Sequence, residues 1–205
     1  QNATATFFRR MLKGARYHLL LVDVIDALAS GKAPFNETAE ILEAVYRVFT
    51  SQRSGIWRLF DRGAFEKVVL LATKADTVPP NQRAALSKLL TEMCAGVVAG
   101  AAAVPRPDAS YVAAVRATTD VPHTPAGTAE RVIAVKGYCA DVGKERLLIS
   151  LDIPEEIPDR AYFARRQGQR PPRFVPPAVE GRGKLGIPNL RLGQVIQDLV
   201  GDLLK

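Results

Sequence analysis

Three short runs of apolar residues without alternation set the first constraint on the fold. They are His18-Leu19-Leu20-Leu21-Val22-Asp23-Val24, Lys67-Val68-Val69-Leu70-Leu71-Ala72-Thr73 and Tyr111-Val112-Ala113-Ala114-Val115-Arg116-Ala117-Thr118. A strand with one face in water alternates apolar and polar side chains, whereas a strand apolar at nearly every position has both faces covered. Helical signals fill the gaps between the runs. Ile41, Leu42, Val45, Val48 and Phe49 keep a helical period behind Pro34, with Asn36 as the expected cap. Pro79-Pro80 opens an Ala- and Leu-rich helix expected to reach about Ala103, where Pro105 and Pro107 stop it. Shorter helices are expected over Thr4 to Lys13 and, past Ser54-Gly55, over Ile56 to Phe60. Buried strands alternating with helices give a parallel α/β sheet with helices on both faces.

Past Asp120 the texture changes. Arg131 to Lys136 and Arg146 to Leu151 read as a strand pair joined across Cys139-Ala140-Asp141-Val142-Gly143. Pro154 to Pro188 is rich in Pro, Gly and Arg and reads as irregular. Leu190 to Leu204 carries Leu192, Val195, Ile196, Leu199, Val200 and Leu203 on one helical face, which by default packs on the sheet. The expected division is an α/β part over 1–120, a β-rich and irregular insertion over 121–188, and a terminal helix over 189–205 packing back on the α/β part.

Composition narrows the function classes. A chain of 205 residues buries a core without covalent staples. Two cysteines, Cys94 and Cys139, and two histidines, His18 and His123, argue against a disulfide scaffold, a four-cysteine zinc site and a histidine-built metal centre. They fit a reducing, cytoplasmic compartment. The net charge of +7 suits a polyanion or membrane-surface partner without establishing one. Met93 to Val104 is the longest apolar stretch, and its twelve residues fall short of a membrane span. Gln1-Asn2-Ala3-Thr4 shows neither an initiator methionine nor a signal-peptide design, so the chain reads as part of a longer protein.

The chemistry concentrates at Thr73-Lys74-Ala75-Asp76, just past the second buried run. Open parallel sheets bind ligands at the carboxyl ends of their strands. The four residues match the guanine-recognition box of P-loop GTPases, Asn/Thr-Lys-x-Asp. A carboxylate accepts two parallel hydrogen bonds, and guanine offers adjacent N1–H and N2–H donors. Adenine opposes an acceptor to the carboxylate instead, at a cost of about 1–3 kcal/mol. The lysine stem can lie over the purine. The plainer reading, a strand end followed by a solvated charged loop, stays open for four residues alone. A second small-residue segment, Ala117-Thr118, follows 41 positions after Asp76. It ends the third run, where P-loop GTPases place a small-residue box, Ser-Ala-x, whose backbone N–H meets guanine O6. By that likeness the same is expected here, the plainer reading being a strand end with small polar residues. The candidate nucleotide residues are therefore Thr73, Lys74, Asp76, Ala117 and Thr118. Asp23 also ends a buried run; a loop-ordering role is favoured over Mg²⁺ ligation, because the first strand is expected beside the base-reading one.

Separated motifs in order resemble the C-terminal half of the bacterial YcjX-like family of P-loop GTPases linked to stress response. They are Phe7-Phe8-Arg9, Leu20-Leu21-Val22-Asp23, Ser30-Gly31, Ala33-Pro34-Phe35-Asn36, Ala72-Thr73-Lys74-Ala75-Asp76, Ala117-Thr118-Thr119, Leu190-Arg191-Leu192 and Leu199-Val200-Gly201-Asp202. The resemblance implies GTP and GDP binding, with hydrolysis supported by Mg²⁺ whose ligands lie upstream, and a cytoplasmic protein, peripheral at the inner membrane in one reading. It also implies a phosphate loop, Gly-x-x-x-x-Gly-Lys-Ser/Thr, which this sequence lacks. Gly181-Arg182-Gly183-Lys184-Leu185-Gly186 has the wrong spacing and no Ser/Thr. The fragment alone is expected to hydrolyse GTP poorly or not at all, and its catalytic residues are unassigned.

Other features have plainer readings. Arg165, Arg166, Arg170, Arg173 and Arg182, interleaved with Tyr162, Phe163 and Phe174, read as a solvated surface loop ahead of a nucleic-acid or anionic-lipid contact. Trp57 reads as core, and Cys94 as a buried thiol. The alternative function is a non-enzymatic module binding a protein partner or a membrane surface through the basic loop, the strand pair and the last helix.

Overall fold

The structure is a computed structural model and describes residues 17–51, 67–96, 108–166, 168–176 and 186–201, with the side chains of 47–51 left out. The expected helices at 4–13 and 56–60, Trp57, Arg182 and most of the 181–186 glycine segment lie outside these residues, as do 97–107 and Leu203.

Two of the apolar runs form neighbouring parallel strands, β1 (Tyr17–Val22) and β2 (Lys67–Ala72), in register from Tyr17 opposite Lys67 to Val22 opposite Ala72. On the other side of β2 lies β3 (Asp108–Tyr111), also parallel, so β2 is the middle strand. Side chains alternate across a strand, and β2 uses both directions for burial. Val68, Leu70 and Ala72 face the main core with Val24, Leu28, Phe35, Leu42, Leu86 and Leu89. Val69 and Leu71 face a smaller cluster with Val112 and Val195, against which Leu192 and Leu199 pack. Burying each such Leu or Val contributes about 1.5–3 kcal/mol.

The helices that cover these faces are α1 (Val24–Ser30), α2 (Lys32–Ser51) and α3 (Arg83–Glu92) on the main core, and α5 (Leu192–Val200) on the other side. A short helix, α4 (Arg160–Arg165), starts at Asp159, whose carboxylate accepts the Tyr162 N–H at 2.8 Å. The helix α1 replaces the expected end of the first strand at Val24. Asp23 caps it, with Oδ1 accepting the Asp26 N–H at 3.0 Å. Asn36 is not a cap, because α2 already begins at Lys32 and places Pro34 in its first turn, where a missing N–H costs nothing. The helix expected from Pro79 starts instead at Arg83, behind a tight turn over Pro80–Gln82.

Burial on both faces holds for β2 but not for β1, where Leu19 and Leu21 remain 39% and 66% exposed. The third run also departs from expectation. The parallel strand occupies Asp108–Tyr111, ahead of most of the run. Val112 still donates to Ala72 O at 2.9 Å, but Val112 O then accepts from Ala75 N and Ala113 bridges to Leu190. The terminal segment thus captures the backbone groups that a longer third strand needs.

The chain re-enters a sheet at β4 (Thr118–His123), which pairs antiparallel with β5 (Val132–Cys139), and β5 with β6 (Lys144–Leu148). The expected pair is thus β5 and β6, joined across 140–143, with β4 as an added third strand. Gly137 on β5 is opposite Thr118. A Cβ there would come within 2.8 Å of both Ala117 O and the Phe174 ring. Gly137→Ala is expected to lower stability by about 1–3 kcal/mol through this overpacking, read as a lower Tm; an unchanged Tm would show that strand β5 is free to move away from 117–118.

Candidate functional site

The carboxyl end of β2 turns directly into the polar box. Thr73 remains tied to β1, with its N–H donating to Val22 O at 2.9 Å. Lys74 then takes a left-handed backbone conformation, φ 58°, which reverses the chain. Its Nζ pairs with the Asp23 carboxylate at the end of β1. That hydrogen bond, working against desolvation and helped by the charges of Asp23 and Asp26, raises the lysine pKa above its usual value. A one-turn 3-10 segment over Ala75–Thr77 follows, closed by Thr77 Oγ1 donating to Lys74 O at 2.8 Å.

Asp76 is 2% exposed. Its Oδ2 accepts the Ala117 N–H at 2.6 Å, and its backbone carbonyl accepts the Thr118 hydroxyl. Asp76 is thereby brought against Ala117 and Thr118 from 41 residues away, although Thr118 opens β4, with Ala117 just ahead of it, and neither ends a parallel strand. The N–H expected to meet a guanine oxygen is donated to Asp76 itself. Lys74, on the same loop, reaches the other way to Asp23. The favoured loop-ordering role of Asp23 is visible directly: one oxygen caps α1 and the other holds Lys74. A cleft of about 620 Å³ runs along β1 and α2 and ends at Asp23 and Asp26; Leu19, Ala27, Ile41 and Leu42 line it.

Sequence reading missed the residue that organises this loop. Arg83, 5% exposed, donates through Nε to Ala75 O at 3.1 Å and to Val78 O at 2.9 Å. Its two terminal nitrogens meet both oxygens of Asp120 on β4, at 3.1 and 2.5 Å. Arg116 Nη2 also lies 2.7 Å from Asp120 Oδ2, close but without good hydrogen-bond direction. Nothing in local composition marks Arg83, because it opens an ordinary helix and its partners are 5, 8 and 37 positions away. The arginine-rich segment behaves differently. Tyr162 is buried and Phe163 packs on the core, so neither presents a stacking face, and Arg166 donates to Leu151 O and to the Tyr162 hydroxyl. Cys94 is buried, and burial pushes its thiol up to about 12.

These features define a class: an α/β protein with a polar, arginine-braced loop at the carboxyl end of the middle strand of a parallel sheet. The chain belongs to the YcjX-like family (DUF463), which it matches over residues 1–204. It is 27% identical over 192 residues to "Ras-like GTPase YcjX" of Escherichia coli (strain K12), covering 91% of this chain and 39% of that protein. It is 25% identical over 203 residues to "Ras-like GTPase YcjX" of Shewanella oneidensis (strain MR-1), covering 97% of this chain and 41% of that protein. The chain therefore spans about two fifths of the length of these curated relatives. Among the described residues no helix is long and apolar enough to cross a membrane.

Burial raises the Asp120 carboxyl, but the contacts and charges of Arg83 and Arg116 outweigh it and hold it below the usual carboxylate value of 3.8. A depressed carboxyl contributes stability that is present above the ordinary value and lost as pH falls through the folded one. Asp120→Asn is expected to lower stability at pH 7 by about 1–3 kcal/mol and to flatten the loss on acidification below the usual aspartate range. Denaturant melts across that range check both; parallel acid profiles in wild type and variant would remove Asp120 as a contributor.

Proposed function

We propose that this chain supplies the base-recognition part of a guanine-nucleotide site, and that the complete protein binds GTP and GDP and hydrolyses GTP. One observation carries the reading: the acceptor on Asp76 and the donor on Ala117, the two groups that guanine's edge requires, face each other at 2.6 Å. Without a base they satisfy one another. On base entry Asp76 accepts N1–H and N2–H, and the Ala117 N–H turns to O6. The exchange leaves no buried group unpaired, which keeps its cost low. Lys74 leaves Asp23 to lie along the purine, and Thr73 and Thr118 hold the two walls. The names of the curated relatives, "Ras-like GTPase", support the same ligand.

Phosphate and Mg²⁺ chemistry is assigned to parts of the protein beyond this chain. Among the described residues no three His, Cys, Asp or Glu side chains converge on one point, and in the base-free arrangement one Asp23 oxygen caps α1 while the other pairs with Lys74.

Two measurements on the complete protein test the reading. GDP at about 100 times its dissociation constant adds roughly 2.7 kcal/mol of stability, seen as a raised Tm; no shift with GDP or GTP favours a non-enzymatic binding module. Asp76→Asn replaces an acceptor by a donor and is expected to move preference from guanine toward xanthine nucleotides. Unchanged guanine preference in that variant means Asp76 does not read the base.

A further inference from the structure

We propose that Arg83 and Asp120 are positioning residues for base selectivity, so that the antiparallel sheet controls how well the loop at Asp76 discriminates among purines. This rests on the guanine reading above and adds to it the residues that set its geometry. The bonds form a closed ring. Arg83 Nε spans the turn that presents Asp76 by binding the carbonyls of Ala75 and Val78. From the same guanidinium, two bonds reach Asp120 on β4. Two residues before Asp120, Thr118 binds Asp76 O, and next to it the Ala117 N–H binds the Asp76 carboxylate. Thus the acceptor and the donor that would contact opposite ends of a guanine edge stand on separate elements, and one planar cation fixes their spacing.

Only arginine suits this position. Its Nε and its two terminal nitrogens donate in a fixed fork, whereas a lysine is a point charge that cannot span two carbonyls and both oxygens of a carboxylate at once. Arg83 touches no base in this arrangement, and its effect passes through Asp76 and Ala117. Loss of the brace therefore falls on discrimination more than on the bulk of nucleotide affinity, much of which belongs to phosphate contacts elsewhere in the protein.

The test uses the complete protein and two probes, GDP and inosine diphosphate, which lacks the N2 amino group. Wild type is expected to prefer GDP. In Arg83→Lys the preference should narrow by about tenfold, the loss of one well-placed charged hydrogen bond, with inosine diphosphate affinity little changed. Asp120→Asn, which keeps the side-chain shape, should narrow it in the same direction. The double variant should lose no more than the larger single loss, because both substitutions open the same ring. Lys88→Ala, in an exposed ion pair with Glu155, serves as the control with wild-type ratios. A folded Arg83→Lys or Asp120→Asn protein with the wild-type ratio overturns the proposal while leaving the guanine site standing. Wild-type protein that binds neither nucleotide overturns both.

Discussion

A guanidinium removed from water is tolerated only when its donors are answered, and leaving one charge of a buried pair without the other costs several kcal/mol. Arg83 meets that demand by taking acceptors from two parts of the chain at once. Two are backbone carbonyls of the turn after β2, and two are the oxygens of Asp120 at the start of the antiparallel sheet. The parallel sheet and the antiparallel sheet are therefore joined by a charged contact at the place where the polar box emerges. Gln82, the preceding residue, reinforces the junction, donating to Ser150 at 2.7 Å and accepting from Leu151 N at 2.8 Å.

The arrangement explains how a carboxylate as buried as Asp76 is kept in place. Its neighbours Thr73 and Ala75 are stitched by backbone bonds to β1 and to Val112, on opposite sides of β2. Local order in the box comes from sheet neighbours on either side, and the turn itself is short. Asp23 extends the same logic to the edge of the sheet, where a single side chain both starts α1 and holds Lys74.

Much of this is legible in the residues. The unbroken apolar run at Lys67–Ala72 specifies a strand covered on both faces, and β2 is one. The spacing from Asp76 to Ala117 anticipates two segments that the fold brings into contact. Other parts are hidden for definable reasons. Asp23 next to Val24 reads as the end of a strand, because the capping bond that starts α1 depends on a backbone turn that composition does not encode. The third run gives way to β3 and β4 because Leu190, almost eighty positions later, competes for Ala113. Arg83 is invisible because its worth lies in partners that are distant along the chain. Apolar patterning reports the burial of the middle strand but not that of β1, whose Leu19 and Leu21 stay exposed, and it reports long-range charge pairing hardly at all.

At Lys74 a side chain and its own backbone pull in different directions. A left-handed conformation costs a side-chain-bearing residue about 1–2 kcal/mol, and the lysine tip is well exposed in its pair with Asp23, where such contacts are worth about 0–1 kcal/mol. Glycine at 74 would relax the turn and forfeit the pair, and it would also loosen the unfolded chain by about 0.4–1 kcal/mol. These amounts nearly cancel. A screen that ranks substitutions by melting temperature alone would score this position as silent, whatever the lysine does when a ligand arrives.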